Sequence, residues 1–264
     1  MKKVLALFAI ILFLASCSDY QRALKSDDIA VKFTSATKMY EAKKYGKAIR
    51  LFEQIAPAYK GKPQAERMFY MYSQALYTTK QYYLAGYQFE NFTASYPKSE
   101  KIEEASFLGA KSFTFLSPVY SLDQTDTYKA IDKLQNYIDA YPEGKNLAEA
   151  NALVKKLREK LEKKAFENAK IYNNISDYKA AMVAFDNFMI NFPGTVYKEK
   201  ALYYKFDSAY NLAINSVPSK MKERLETAKA AYQSLIKFKA DTEYKAKADE
   251  MLAKIDNDLK QYSK

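Results

Sequence analysis

One hydrophobic pattern returns along this chain at helical spacing. It reads Tyr178-x-x-Ala181-x-x-x-Phe185-x-x-Phe188-x-x-x-Phe192-Pro193, and earlier Tyr82-x-x-Ala85-x-x-x-Phe89-x-x-Phe92-x-x-x-Tyr96-Pro97. Between these copies stands Thr127-x-x-Ala130-x-x-x-Leu134-x-x-Tyr137-x-x-x-Tyr141-Pro142. Near the start, Tyr45, Ala48, Phe52, Ile55 and Tyr59 keep the spacing, but Lys60 follows instead of proline. A weaker fifth copy is Leu225, Ala228, Tyr232 and Leu235. Spacings of three and four put these side chains on one face of a helix. The proline ends that helix, because it lacks an N–H and drives the residue before it out of helical geometry. The alanine lets a neighbouring helix come close, and the aromatic positions fill the space between helix pairs.

Each copy is preceded by a second amphipathic stretch. Ile29 to about Lys43 carries Phe33, Ala36 and Tyr40, with Asp27 or Asp28 available as the N-cap. Met68, Tyr72, Ala75 and Leu76 lead to Tyr82; Ile102, Ala105, Leu108 and Phe113 follow Pro97, with Ser99 as a candidate cap. After Ser117-Pro118 an insertion runs to Asp126. Between Lys145 and Asp177 there is no Gly or Pro, and apolar residues recur from Leu147 to Tyr172, so one long helix is expected there. After Pro193, Thr195 is placed to cap a helix bearing Ala201, Leu202, Phe206, Ala209 and Leu212. A loop around Ser216-Val217-Pro218-Ser219 follows, and Thr242 to Tyr262 is a charged, amphipathic final segment.

Helix pairs whose second member carries alanine and, twelve positions later, proline resemble the tetratricopeptide repeat (TPR). The resemblance implies an all-α, right-handed superhelical solenoid of about five repeats with a long central helix and a C-terminal capping helix. The expected repeats run over 29–61, 64–98, 99–143, 146–194 and 195–240, with the cap over 242–262 and the whole array over 28–264. Signature positions Tyr45, Ala48, Phe52, Tyr82, Ala85, Phe89, Tyr96, Pro97, Ala130, Leu134, Tyr141, Pro142, Tyr178, Ala181, Phe185, Phe192 and Pro193 are expected to be structural.

Composition narrows the chemistry. No histidine is present in the 264 residues, which removes the commonest general base and metal ligand. A single cysteine permits neither an internal disulfide nor a cysteine metal cluster. No catalytic residue, metal or cofactor is therefore expected. The net charge is +11, or +9 once Lys2 and Lys3 are removed, from 40 basic and 31 acidic residues. Much of that charge alternates in sign along helices, as in Lys155-Lys156-Leu157-Arg158-Glu159-Lys160, and reads as solvated surface. An anionic membrane surface suits the remainder better than nucleic acid does.

The first residues read as targeting information. Lys2 and Lys3 precede an eleven-residue apolar run, Val4 to Leu14, which is too short for a permanent span. It ends in Leu14-Ala15-Ser16-Cys17, which resembles the lipobox of bacterial lipoproteins. That resemblance implies a signal peptide over 1–16, cleavage before Cys17, acylation of Cys17, and a polar tether over 17–27. Ser18, where an aspartate would resemble an inner-membrane retention signal, favours the outer membrane, and with no acidic run after Cys17 to suggest surface export, a periplasm-facing domain is expected.

Lipobox, five TPR units and a long helix before Phe192-Pro193 together resemble the BamD family, the lipoprotein subunit of the outer-membrane β-barrel assembly machine. Asp123-Gln124-Thr125 leading to Ala130, and Phe185 to Pro193-Gly194-Thr195, carry the same likeness; Lys60 departs from it. The resemblance implies a non-enzymatic scaffold that docks on the periplasmic POTRA domains of a BamA-type barrel subunit, contacts other lipoproteins of the complex, and helps receive unfolded outer-membrane proteins. Two other readings share features with it. A periplasmic TPR adaptor for cell-wall or polysaccharide machinery would have the lipobox and repeats. A glycan-cleaving enzyme would need a carboxylate pair across a cleft, and the repeats leave no further domain to hold one.

Overall fold

A computed structural model describes residues 19–262. Cys17 and the lipobox residues Leu14, Ala15 and Ser16 lie outside them. The described residues form helices α1 (19–25), α2 (Ile29–Glu41), α3 (Tyr45–Tyr59), α4 (Ala65–Thr78), α5 (Tyr82–Ser95), α6 (Ile102–Thr114), α7 (Thr125–Ala140), α8 (Leu147–Asn174), α9 (Tyr178–Asn191), α10 (Lys198–Ile214), α11 (Pro218–Phe238) and α12 (Lys245–Leu259). A 3-10 turn, Lys260–Tyr262, ends them, and no strand occurs among the described residues. Consecutive helices pack on one another, α2 on α3 through α6 on α7, and α9 on α10 through α11 on α12, as in a TPR-like solenoid. The described residues divide into two compact units, one of residues 19–118 and 123–155, the other of 119–122 and 156–262.

Proline sets three helix ends in the same way. Tyr96, Tyr141 and Phe192 follow α5, α7 and α9 with φ of −129°, −131° and −130° and ψ of 63°, 67° and 68°. Each still donates its N–H four residues back, to Phe92, Tyr137 and Phe188. The following proline excludes the α region for that residue, so the helix stops there. At the end of α3, where proline is missing, Lys60 turns extended and Gly61 takes φ 81°.

The turns inside repeats use a different device. Lys43, Lys80 and Ser176 adopt φ of 57°, 61° and 64°, each two residues before a signature helix. Their N–H groups bond Tyr40, Tyr77 and Asn173, and the next N–H in each case reaches Met39, Leu76 and Tyr172. This is a Schellman closure with a non-glycine residue in the left-handed position.

Several expectations need correction. Residues 19–25 are helical rather than a tether, and Tyr20 and Ala23 are buried in the first core beside Phe33 and Ala36. Their spacing of three gives even this polar stretch one apolar face. Asp28 does cap α2, accepting from Ala30 N at 2.7 Å. Ser99 and Thr195 stand three residues ahead of their helices and bond Lys101 N and Tyr197 N within the lead-in turn. Pro218 opens α11 instead of lying in a loop, since its fixed φ suits a first helical position. The middle of the expected insertion, residues 119–122, belongs to the second unit, where Lys164 Nζ donates to Leu122 O at 2.8 Å.

Candidate functional site

The first unit is built on the signature face. Ala48, Ala85, Ala130, Phe52, Phe89 and Leu134 are wholly buried, as are Ala181 and Phe185 in the second unit. Full burial of such aromatic side chains removes them from the surface available to a partner. Tyr96 is different: it is half-buried, packs on Phe92 at 5.3 Å and also lines an open groove.

That groove has a volume of about 810 Å³. Helix α3 supplies Glu53, Ala56 and Pro57 to one wall, and Lys60 and Gly61 close its end. Helix α5 supplies Gln88, Asn91 and Ser95, and Phe69 and Tyr72 of α4 form the apolar floor. Gln88, Asn91 and Ser95 recur at threes and fours on a stripe of α5 that flanks the Ala85 and Phe89 face. Burial, with Glu53 close by, pushes the Tyr72 hydroxyl up to about 12, so it stays a neutral donor. An aromatic floor flanked by amide and hydroxyl groups can hold an extended segment by apolar contact and by hydrogen bonds to its backbone. The signature pattern did not mark these polar residues, because they lie between its positions.

The step from one repeat to the next rests on a glutamate that sequence reading also missed. Glu66, Glu103 and Glu199 each occupy the second position of α4, α6 and α10. Ser99 Oγ donates to Glu66 at 2.7 Å. Glu103 accepts from Lys145 N at 2.7 Å and from the Tyr137 hydroxyl at 3.2 Å. Glu199 accepts from Thr242 Oγ1 at 2.6 Å, Glu243 N at 3.1 Å and Lys239 Nζ at 2.9 Å. The Thr242 hydroxyl, then Lys239, hold the Glu199 carboxyl below its usual range. A signal was present: Glu103 and Glu199 both stand six residues after a signature proline.

The second unit exposes apolar side chains on α9. Val183 and Ile190 point outward from α9, 56% and 73% exposed, where the signature face points inward. A shallow pocket of about 470 Å³ lies beside Val183, walled by Tyr172, Lys179 and Asn187. No cluster of three potential metal-ligating side chains occurs among the described residues. No described helix is long and apolar enough to cross a membrane.

Comparison with known proteins agrees with this architecture. The profile of the YfiO family, described as outer membrane lipoprotein, matches residues 26–225. The chain is 24% identical over 223 residues to the outer membrane protein assembly factor BamD of Rickettsia prowazekii (strain Madrid E), covering 83% of this chain and 88% of that one. It is 23% identical over 248 residues to an Aquifex aeolicus (strain VF5) protein that provisionally bears the same name, covering 91% of this chain and 79% of the relative.

Proposed function

Because the chain belongs to the YfiO family of outer membrane lipoproteins, we propose that it is a non-enzymatic scaffold for the assembly of outer-membrane β-barrel proteins. The observation that carries this reading is the family match over residues 26–225, together with the assembly-factor names of both relatives. In this reading Cys17 is the acylated first residue and holds the chain on the periplasmic side of the outer membrane. Several acyl chains on one residue anchor stably, whereas a single chain holds marginally.

Two surfaces divide the work. The groove between α3 and α5 receives segments of unfolded outer-membrane proteins. Its Phe69 and Tyr72 floor tolerates varied apolar side chains, and its polar walls take main-chain hydrogen bonds. The repeats from Tyr178 to Tyr262 contact the POTRA domains of a BamA-type barrel subunit, with other lipoproteins of the complex as further neighbours. The outward residues Val183 and Ile190 support that side of the assignment, since exposed apolar positions gain most from a protein partner.

Co-purification from detergent-solubilised envelopes tests the reading. A tagged chain should bring the barrel subunit with it. Recovery of cell-wall or polysaccharide enzymes in its place would favour the adaptor alternative. Intact mass of the extracted protein tests the anchor: the expected species begins at Cys17 and carries acyl chains, and an unmodified chain cut elsewhere would refute it.

A further inference from the structure

A second recess of the first unit has the chemistry of an anion site. It has a volume of about 720 Å³ and lies where α1, the turn from α2 to α3 and the start of α3 meet. Lys43, Lys44, Lys47 and Arg50 line it, and no acidic residue does. Lys43, Lys44 and Arg50 are exposed, and none of the four is engaged in an ion pair among the described residues. Two acids close to it in sequence are committed elsewhere: Glu41 pairs with Arg67 at 3.2 Å, and Asp19 lies 3.6 Å from Arg22 and 4.0 Å from Lys38.

The backbone adds to this charge. Helix α3 has fifteen residues, begins at the recess without a side-chain cap, and has no acid in its first turn. The N–H groups of Tyr45 and Gly46 have no acceptor among the described residues. Free N–H groups and the helix dipole together favour an anion at that end. Nothing lies within 4 Å of where a Cβ on Gly46 would stand, so the approach is open. The same end of α9 is built in the opposite sense, with Asp177 as its cap accepting from Ala180 N at 3.2 Å.

An independent feature sits in the same recess. Tyr20 lines it and is 3% exposed, and its hydroxyl, itself buried, has no hydrogen-bond partner among the described residues. Lys47 Nζ lies 5.0 Å above the Tyr20 ring. A buried polar group without a partner is costly unless something else satisfies it.

We propose that this recess binds the phosphate of an anionic phospholipid and so orients the first unit against the membrane surface. The choice of a lipid headgroup over a soluble anion rests on the lipid-anchor reading. Cys17 stands three positions before Tyr20, a distance the chain can span only to about 11 Å. Acyl chains on Cys17 would hold the recess within reach of the headgroups. Lys43, Lys44 and Arg50 then supply long-range attraction, and the Tyr45 and Gly46 N–H groups supply short-range bonds to phosphate oxygens.

Flotation of the unlipidated chain of residues 18–264, which retains every described residue, tests this. The probes are vesicles of phosphatidylcholine with and without phosphatidylglycerol. Binding should require phosphatidylglycerol and weaken with salt. The triple variant Lys43→Gln, Lys44→Gln, Arg50→Gln should bind on the order of a hundredfold more weakly, at about fivefold per basic residue. A control removing equal charge from exposed positions of the second unit, Lys220→Gln, Lys222→Gln, Lys254→Gln, should change binding by less than about fivefold. Thermal melts of both variants establish that they fold. Equal loss in the two triples, retained binding in the first, or equal binding to phosphatidylcholine alone would each overturn the proposal. So would release by low-millimolar inorganic phosphate but not by chloride of equal ionic strength, which would show a soluble-anion site. The mass measurement on Cys17 judges the anchor separately, so failure of the anchor and failure of the recess are told apart.

Discussion

The two units solve the same packing problem with different residues. Where α5 meets α6 the backbones come together over glycine. A Cβ on Gly86 would lie 2.8 Å from the Phe113 ring, and one on Gly109 would lie 3.0 Å from Phe89 Cβ. Where α10 meets α11 the small residues are alanines: Ala209, Ala213, Ala228 and Ala231 are all buried in one core. Glycine admits a whole phenyl ring against the neighbouring backbone, but it costs about 1 kcal/mol of helix propensity. Alanine keeps the propensity and packs against leucine-sized neighbours such as Leu225 and Leu235. The same repeat can therefore be aromatic-rich at one step and alanine-rich at another, provided small and large residues alternate across the crossing.

The sharpest way to break this comparison is to remove the ring. Phe113→Ala should destabilise the first unit by about 3–5 kcal/mol, read by chemical denaturation. In that background Gly86→Ala should become stabilising, because the ring it clashed with is gone and a helical glycine has been replaced. A Gly86→Ala change that remains destabilising there would show that something other than Phe113 demands glycine.

Next in size are the signature alanines, which should behave alike in both units. Ala85→Leu and Ala181→Leu, each at a wholly buried position, should each cost about 1–3 kcal/mol. Unchanged thermal midpoints would mean that these positions do not sit at tight crossings.

The inter-repeat glutamates give a smaller and pH-dependent effect. Glu199→Gln should cost about 1 kcal/mol near neutral pH through weakened hydrogen bonds. The folded Glu199 carboxyl titrates below its ordinary value of 4.5. Its contribution is therefore fully present above that value and is lost as pH falls through the lower folded one. The variant should show a flatter stability profile in that acid window, measured by urea melts across pH. On the alkaline side Tyr232, pushed up to about 12 chiefly by its bond to Asp249, contributes stability below its ordinary 10.0 that is lost as pH rises towards 12.

The smallest expected change is a gain. Lys80 and Ser176 hold left-handed backbone that glycine adopts freely. Lys80→Gly in the first unit and Ser176→Gly in the second should each raise stability by about 0.5 kcal/mol, less than the full left-handed penalty because glycine also loosens the unfolded chain.

How much of this was legible before the structure depends on the kind of signal. Spacing exposed the helices, their inward faces and the proline-set ends at Tyr96, Tyr141 and Phe192, because periodicity and proline act locally. The turns at Lys43, Lys80 and Ser176 gave no warning, since the residue that marks a Schellman closure is glycine and none stands there. Residues 19–25 were misread because their polar composition outweighed the Tyr20 and Ala23 pair that anchors them. The groove and the glutamate closures were hidden for another reason. Glu53, Gln88 and Asn91 become a site only when α3 and α5 lie side by side, and Glu103 meets Lys145 across 42 positions of chain.

The central claim is that clients and the barrel subunit use different units. The direct test is a pull-down with the purified periplasmic domains of the barrel subunit, comparing the full chain with a fragment ending at Lys155. That end point is preferable to one near Ile175, because Phe166 and Ala169 pack with Phe185 and Phe188 in the second unit and would be left bare. Circular dichroism must show the fragment helical and cooperatively melting. The account predicts that this folded fragment fails to bind the periplasmic domains while still cross-linking to unfolded outer-membrane protein through the groove beside Tyr96. A folded fragment that binds those domains as tightly as the full chain would contradict it.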